Sequence, residues 1–151
     1  KVAEKDFSAA RAALLNASAA QREKVIAAYS QARSRLMISI LNSLISLYHR
    51  VDHITQSMET AALRLDSFYD SRLAQGKSVE DYEARYVLLV RELAEIKSDN
   101  ARAAASLENA RTSVDFSIAL THAKGSLRHS VTRLQRYMVL YHDLARDVVQ
   151  S

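Results

Sequence analysis

His49 and His53 stand four residues apart with Asp52 between them, so on a helix both imidazoles leave the same side, as two zinc ligands would. The run His49-Arg50-Val51-Asp52-His53 lacks the glutamate that follows the first histidine in a zinc-protease helix, and a structural zinc site needs four ligands. Two solvent-facing histidines beside an apolar Val51 are therefore the expectation, and no metal is assigned. His122 and His129 lie one heptad apart, with His142 further on, and are expected to be solvent-exposed surface residues. A di-iron bundle needs Glu-x-x-His pairs, and no glutamate here has histidine three residues later. Gly-rich phosphate loops and the Gly-x-Ser-x-Gly elbow are also missing. No enzyme and no cofactor is expected. The absence of cysteine removes thiolate chemistry and disulfides, and weakly favours the cytoplasm.

The chemistry that remains is that of surfaces, and helices must position it. The 151 residues contain no proline and two glycines, so turns are few and the elements long. Apolar residues recur from Met37 through Ile40, Leu44, Leu47, Val51, Ile54, Met58, Ala61, Leu65 and Phe68 in steps of three and four, which is a heptad seam. A second seam runs Tyr82, Tyr86, Leu89, Leu93, Ile96, Asn100, Ala103, Leu107, Ala110 and Val114. Between them Gly76 suits the left-handed position after a helix end, with Ser78 as the cap of the next helix and Asp81 three residues inside it. The predicted fold is all-α: a long antiparallel coiled-coil hairpin turning at Gly76, with residues whose numbers total about 150 opposite one another, so that Phe68 faces Tyr82 and Ile54 faces Ile96.

One elongated domain follows, with a core hairpin over 37–114 and open-end segments at 1–36 and 115–151. After Val114 the pattern shifts phase to Phe116, Leu120, Ala123, Leu127, Val131, Leu134, Met138, Tyr141, Ala145 and Val148, and Gly125 with Ser126 marks a place for a third helix to begin. Near the other end, Ser18 and Gln21 have capping-box spacing, but the alanines around them favour an unbroken helix.

Leu36, Met37, Ile40, Leu41, Leu44, Ile45 and Tyr48 cover most of a helix circumference, more than one partner helix can bury. They are expected to form the interface of a homodimer, two hairpins making a four-helix bundle. That stretch is shorter than the roughly 20 apolar residues a membrane span requires. Asn100 interrupts its seam and is expected to fix register or oligomeric state at a cost in stability, so that Asn100→Leu raises the melting temperature.

Charge divides the chain. Residues 52–99 hold ten acids and six bases, whereas 116–142 holds Lys124, Arg128, Arg133 and Arg136 and no acid. Together with Arg22, Lys24, Arg33 and Arg35 these are expected to form a basic end that docks an acidic partner protein. The expected function is that of a structural scaffold in a cytoskeletal, tethering or segregation assembly. Nucleic acid is disfavoured, since no nucleic-acid-binding motif accompanies the bases. Long dimeric helical hairpins with basic surfaces resemble BAR-type bundles in architecture, and that resemblance implies an alternative role on anionic membranes.

Overall fold

The computed structural model describes residues 1–18, 21–112 and 115–151. Those residues form four helices and no strand: α1 (Val2–Asn16), α2 (Arg22–Ala74), α3 (Tyr82–Thr112) and α4 (Phe116–Gln150). The protein is all-α. Its contacts divide it into two compact units, Lys1–Ile45 and Ser46–Ser151. In the first, α1 buries no residue, and its Phe7 ring lies 5.6 Å from that of Tyr29 on α2. The expected unbroken helix near residue 18 is not formed. Helix α1 stops at Asn16, Ala17 is extended (φ −73°, ψ 138°), and the Gln21 amide donates to the Ser18 carbonyl at 3.1 Å. Good helix propensity at alanine does not hold together a segment that buries nothing.

The second unit is a bundle of three helical segments: α2 from residue 46 onward, α3 and α4. Its direction at the first bend is set by Gly76, whose φ of 77° would strain any residue with a Cβ. The Gly76 amide donates to the Leu73 carbonyl (2.9 Å) and the Lys77 amide to that of Arg72 (3.1 Å), the paired bonds of a Schellman helix end. Ser78 is not the cap of the next helix. Val79 is drawn onto the core, which delays the restart, and Asp81 precedes α3 with φ 55° while its carbonyl accepts from the Arg85 amide at 3.0 Å. Aspartate tolerates that left-handed conformation better than most residues.

Helices α2 and α3 are antiparallel here, but their facing residues differ by one position from the expectation. Tyr69, not Phe68, stacks on Tyr82, with ring centroids 3.5 Å apart. Phe68 is 45% exposed beneath the Arg72 guanidinium, and Ile54 is also exposed while Ile96 is buried. From residue 46 onward the buried set on α2 is Val51, Thr55, Ala62, Leu65 and Tyr69, with Met58 partly covered, so the stripe turns through Thr55 and Ala62 instead of Ile54 and Ala61. The α3 seam is buried as spaced from Tyr82 to Ala110, with Tyr86 partly covered; Val114 lies outside the described residues.

Helix α4 is not an open-end segment. It runs antiparallel to α3 and parallel to this part of α2, with the Tyr137 hydroxyl donating to the Met58 carbonyl (3.3 Å) and Arg72 Nη2 to that of Val149 (3.3 Å). Nor does a third helix begin after Gly125, which sits inside α4 with nothing within 4 Å of where a Cβ would be. A helical glycine costs about 1 kcal/mol relative to alanine, too little to break a helix anchored on both sides by buried Ala123 and Leu127. The buried residues Leu120, Ala123, Leu127, Ser130, Leu134, Tyr137, Leu144 and Val148 keep one continuous heptad rhythm, in which Ser130, Tyr137 and Leu144 take the places expected of Val131, Met138 and Ala145.

Gly76→Ala is expected to lower the unfolding free energy by about 1 kcal/mol through the strained φ, whereas Gly125→Ala, meeting no atom, is expected to raise it by a similar amount; urea denaturation followed by circular dichroism checks both.

Candidate functional site

His49, His53, His122, His129 and His142 are all exposed. Among the described residues, no group of three or more His, Cys, Asp or Glu side chains is placed to hold a metal ion.

Asn100 behaves differently from a tolerated boundary residue. It is 3% exposed and lies between Thr55 of α2 and Ser130 of α4, both buried. Asn100 Nδ2 donates to Thr55 Oγ1 at 3.2 Å, Ser130 Oγ donates to Asn100 Oδ1 at 2.6 Å, and Thr55 Oγ1 in turn donates to the Val51 carbonyl at 2.8 Å. One polar residue from each helix thus closes a layer across the core. The sequence exposed Asn100 because it broke a strong seam; Thr55 and Ser130 carried no signal, since their hydroxyls are equally at home bonding to the preceding turn.

Beside this layer the α3–α4 groove is sealed by charge. Arg133 Nε lies 3.2 Å from Asp99 Oδ2, Nη1 3.6 Å from Glu92 and Nη2 3.9 Å from Glu95, and Asp99 is almost wholly buried. Further along, Arg85 Nη1 donates to Asp147 Oδ2 at 2.8 Å. Arg133 was expected to dock an acidic partner; it is instead committed within the chain, because its position one residue before Leu134 turns it toward α3. Lys124, Arg128 and Arg136 are exposed, and among the described residues none of them has an acid within ion-pair distance. They share the outer side of α4 with the three histidines. Arg22, Lys24, Arg33 and Arg35 are exposed in the first unit.

Of the apolar band, Leu41 is buried, Leu36, Met37, Leu44, Ile45 and Tyr48 are half-buried, and Ile40 is exposed, as is its neighbour Ile38. No helix among the described residues is long and apolar enough to cross a membrane.

The tyrosines gather where α2, α3 and α4 run together. Tyr82 stacks on Tyr69 and, at 5.8 Å, on Tyr86; its hydroxyl donates to Asp66 Oδ1 at 3.0 Å. Tyr137 stacks on Tyr141 at 6.2 Å. Burial pushes the Tyr82 and Tyr137 phenols well above their ordinary pKa, and at Tyr82 the bond to Asp66 adds to it; Tyr86 shifts the same way through burial and the Asp66 charge.

Compared with protein-family models, curated proteins and solved structures, the chain matches none.

Two outcomes test this packing. Asn100→Leu alone is now expected to destabilise, by about 1–3 kcal/mol, because the Ser130 hydroxyl loses its acceptor inside the core; Thr55→Val, Asn100→Leu and Ser130→Ala together are expected to restore or exceed the original stability in urea titrations. For the tyrosines, the unfolded phenols ionise near pH 10 while the folded ones stay protonated, so the stability they contribute is complete below pH about 10 and is lost as pH rises further. A spectrophotometric titration is expected to show a class of tyrosines that ionises only as the fold melts, smaller by one in Tyr137→Phe.

Proposed function

We propose that the chain is a structural interaction module: a supercoiled helical scaffold within a larger assembly of cytoskeletal, tethering or segregation type, working in the cytoplasm and without catalysis. The observation that carries this reading is the outer side of α4, where Lys124, Arg128 and Arg136 stand exposed in a segment without a single acid from Phe116 to His142, while the neighbouring Arg133 is held inward by three carboxylates. A cation cluster that the fold does not neutralise attracts an acidic protein surface at long range and loosens as salt rises. Arg22, Lys24, Arg33 and Arg35 extend the basic character of the chain. Self-association through the band from Leu36 to Tyr48 accounts for apolar side chains such as Ile38 and Ile40 that are left exposed, and a homodimer is the simplest closed arrangement.

The partner is an acidic protein surface, for which poly-glutamate serves as a probe. Binding is expected at low ionic strength, to weaken at physiological salt, and to fall at least about tenfold in the triple variant Lys124→Glu, Arg128→Glu, Arg136→Glu, with the circular-dichroism melting curve unchanged. Equal binding by the triple variant removes the docking role. Sedimentation of the protein with phosphatidylserine vesicles but no capture of poly-glutamate replaces it with a membrane role. A light-scattering mass of one chain at micromolar concentration removes the dimer.

A further inference from the structure

The three grooves of the Ser46–Ser151 bundle differ in what fills them. Arg133 and Arg85 bridge α3 to α4, and a depression of 380 Å³ on the α2–α4 side is lined by the polar Ser57, Thr60 and Arg64 beside Ala61 and Tyr141. The α2–α3 groove is open and apolar. Ala62, Leu63, Tyr86, Val90, Leu93 and Ala94 line a depression of 210 Å³ there, with the Lys97–Glu59 ion pair (2.5 Å) across one end. Its shape follows from residue size, because Ala62 and Ala94 stand where larger side chains would fill the space. Leu63 is 60%, Val90 49% and Val87, one turn from Val90 on the same flank, 63% exposed. Apolar side chains so displayed along two adjacent helices make the kind of seat an amphipathic helix takes.

The rim decides which helix. On α2 the flank turned toward α3 follows helical spacing through Asp52, Glu59, Leu63, Asp66 and Asp70, and its ionic residues are all acids. The Tyr82 hydroxyl reaching Asp66 confirms that this flank borders α3. On α3 the facing flank runs Glu83, Tyr86, Val87, Val90, Ala94 and Lys97, and its one base is already paired with Glu59. Glu59 and Lys97 neutralise each other, and among the described residues the other four carboxylates along these flanks, Asp52, Asp66, Asp70 and Glu83, have no cation partner beside the apolar floor. An acidic or neutral helix would meet like charge or leave these carboxylates uncompensated, whereas lysine and arginine beside an apolar stripe satisfy both.

We infer that the α2–α3 groove is a docking site for a cationic amphipathic helix of a partner protein, which lies along Leu63, Val87, Val90 and Ala94 as a fourth helix of the bundle, its bases over Asp66, Asp70 and Glu83. This site is separate from the basic side of α4 and independent of its role.

The test uses the full 151-residue chain and labelled synthetic helices of about 18 residues, long enough to cover the groove at 1.5 Å per residue: one with leucines at i, i+3, i+4 and i+7 and lysine flanks, one with the same leucines and glutamate flanks, and a scrambled lysine version. Anisotropy titrations are expected to show binding of the lysine helix only. Val90→Lys and Ala94→Arg, both on the solvent side, are expected each to weaken it by at least about tenfold, while the α4 triple variant binds as the wild type does. Failure of the lysine helix to bind, equal binding of the glutamate or scrambled helix, or indifference to Val90→Lys and Ala94→Arg overturns the proposal. Self-association that is lost in Val90→Lys, with no peptide binding, assigns the groove to a second copy and overturns it too. Circular dichroism of each variant separates lost docking from lost fold.

Discussion

A hydroxyl, an amide and a second hydroxyl from three different helices meet in a core otherwise made mainly of leucine, isoleucine, valine, alanine and tyrosine, and the Asn100 amide depends on that meeting, because both of its partners come from other helices. Asn100 accepts from Ser130 and donates to Thr55, so a slide of α4 or α2 by one residue takes one of these partners from its buried amide. The apolar neighbours give no such discrimination, since Leu89 or Leu127 packs acceptably against many arrangements of similar volume. Polar interruption of a heptad core specifies alignment at a cost in stability.

Alignment then settles the ionic map. With the layer in place, Arg133 reaches Asp99, Glu92 and Glu95, and Arg85 reaches Asp147, so the α3–α4 groove closes on its own charges. Asp99 is buried, and a buried carboxylate facing away from a cation would carry a desolvation penalty that nothing here offsets. Neutralising these acids internally is what leaves the exposed charges segregated: bases on the outer side of α4, acids along the flanks of the α2–α3 groove. The proposed role as a module with two electrostatically opposite faces rests on that segregation, which the all-helical framework holds in place.

The ends of the elements obey a different rule. Gly76 ends α2 through its backbone freedom and two amide-to-carbonyl bonds, a local device needing no tertiary help. The start of α3 is tertiary in origin, since Val79 is taken into the core and the restart waits for Asp81. Gly125 shows the converse: the same residue type that ends α2 passes unnoticed in α4, where buried side chains on either side keep the helix in place.

By itself the sequence determined the helical class, the bend at Gly76, the seam of α3 from Tyr82 to Ala110 and the polar exception at Asn100, because each is written in short-range spacing or in the freedom of a single backbone position. It did not determine that α4 joins α2 and α3, that the stripe on α2 turns through Thr55 and Ala62 instead of Ile54 and Ala61, or that Arg133 is spent internally. A helix packed against two neighbours buries a wider arc than one packed against one, so the most apolar residue at each step is no longer the most central, and Ile54 and Phe68 fall to the edge while small or hydroxyl residues enter the middle. Only the tertiary arrangement fixes where that centre lies, because it is set by where the third helix sits.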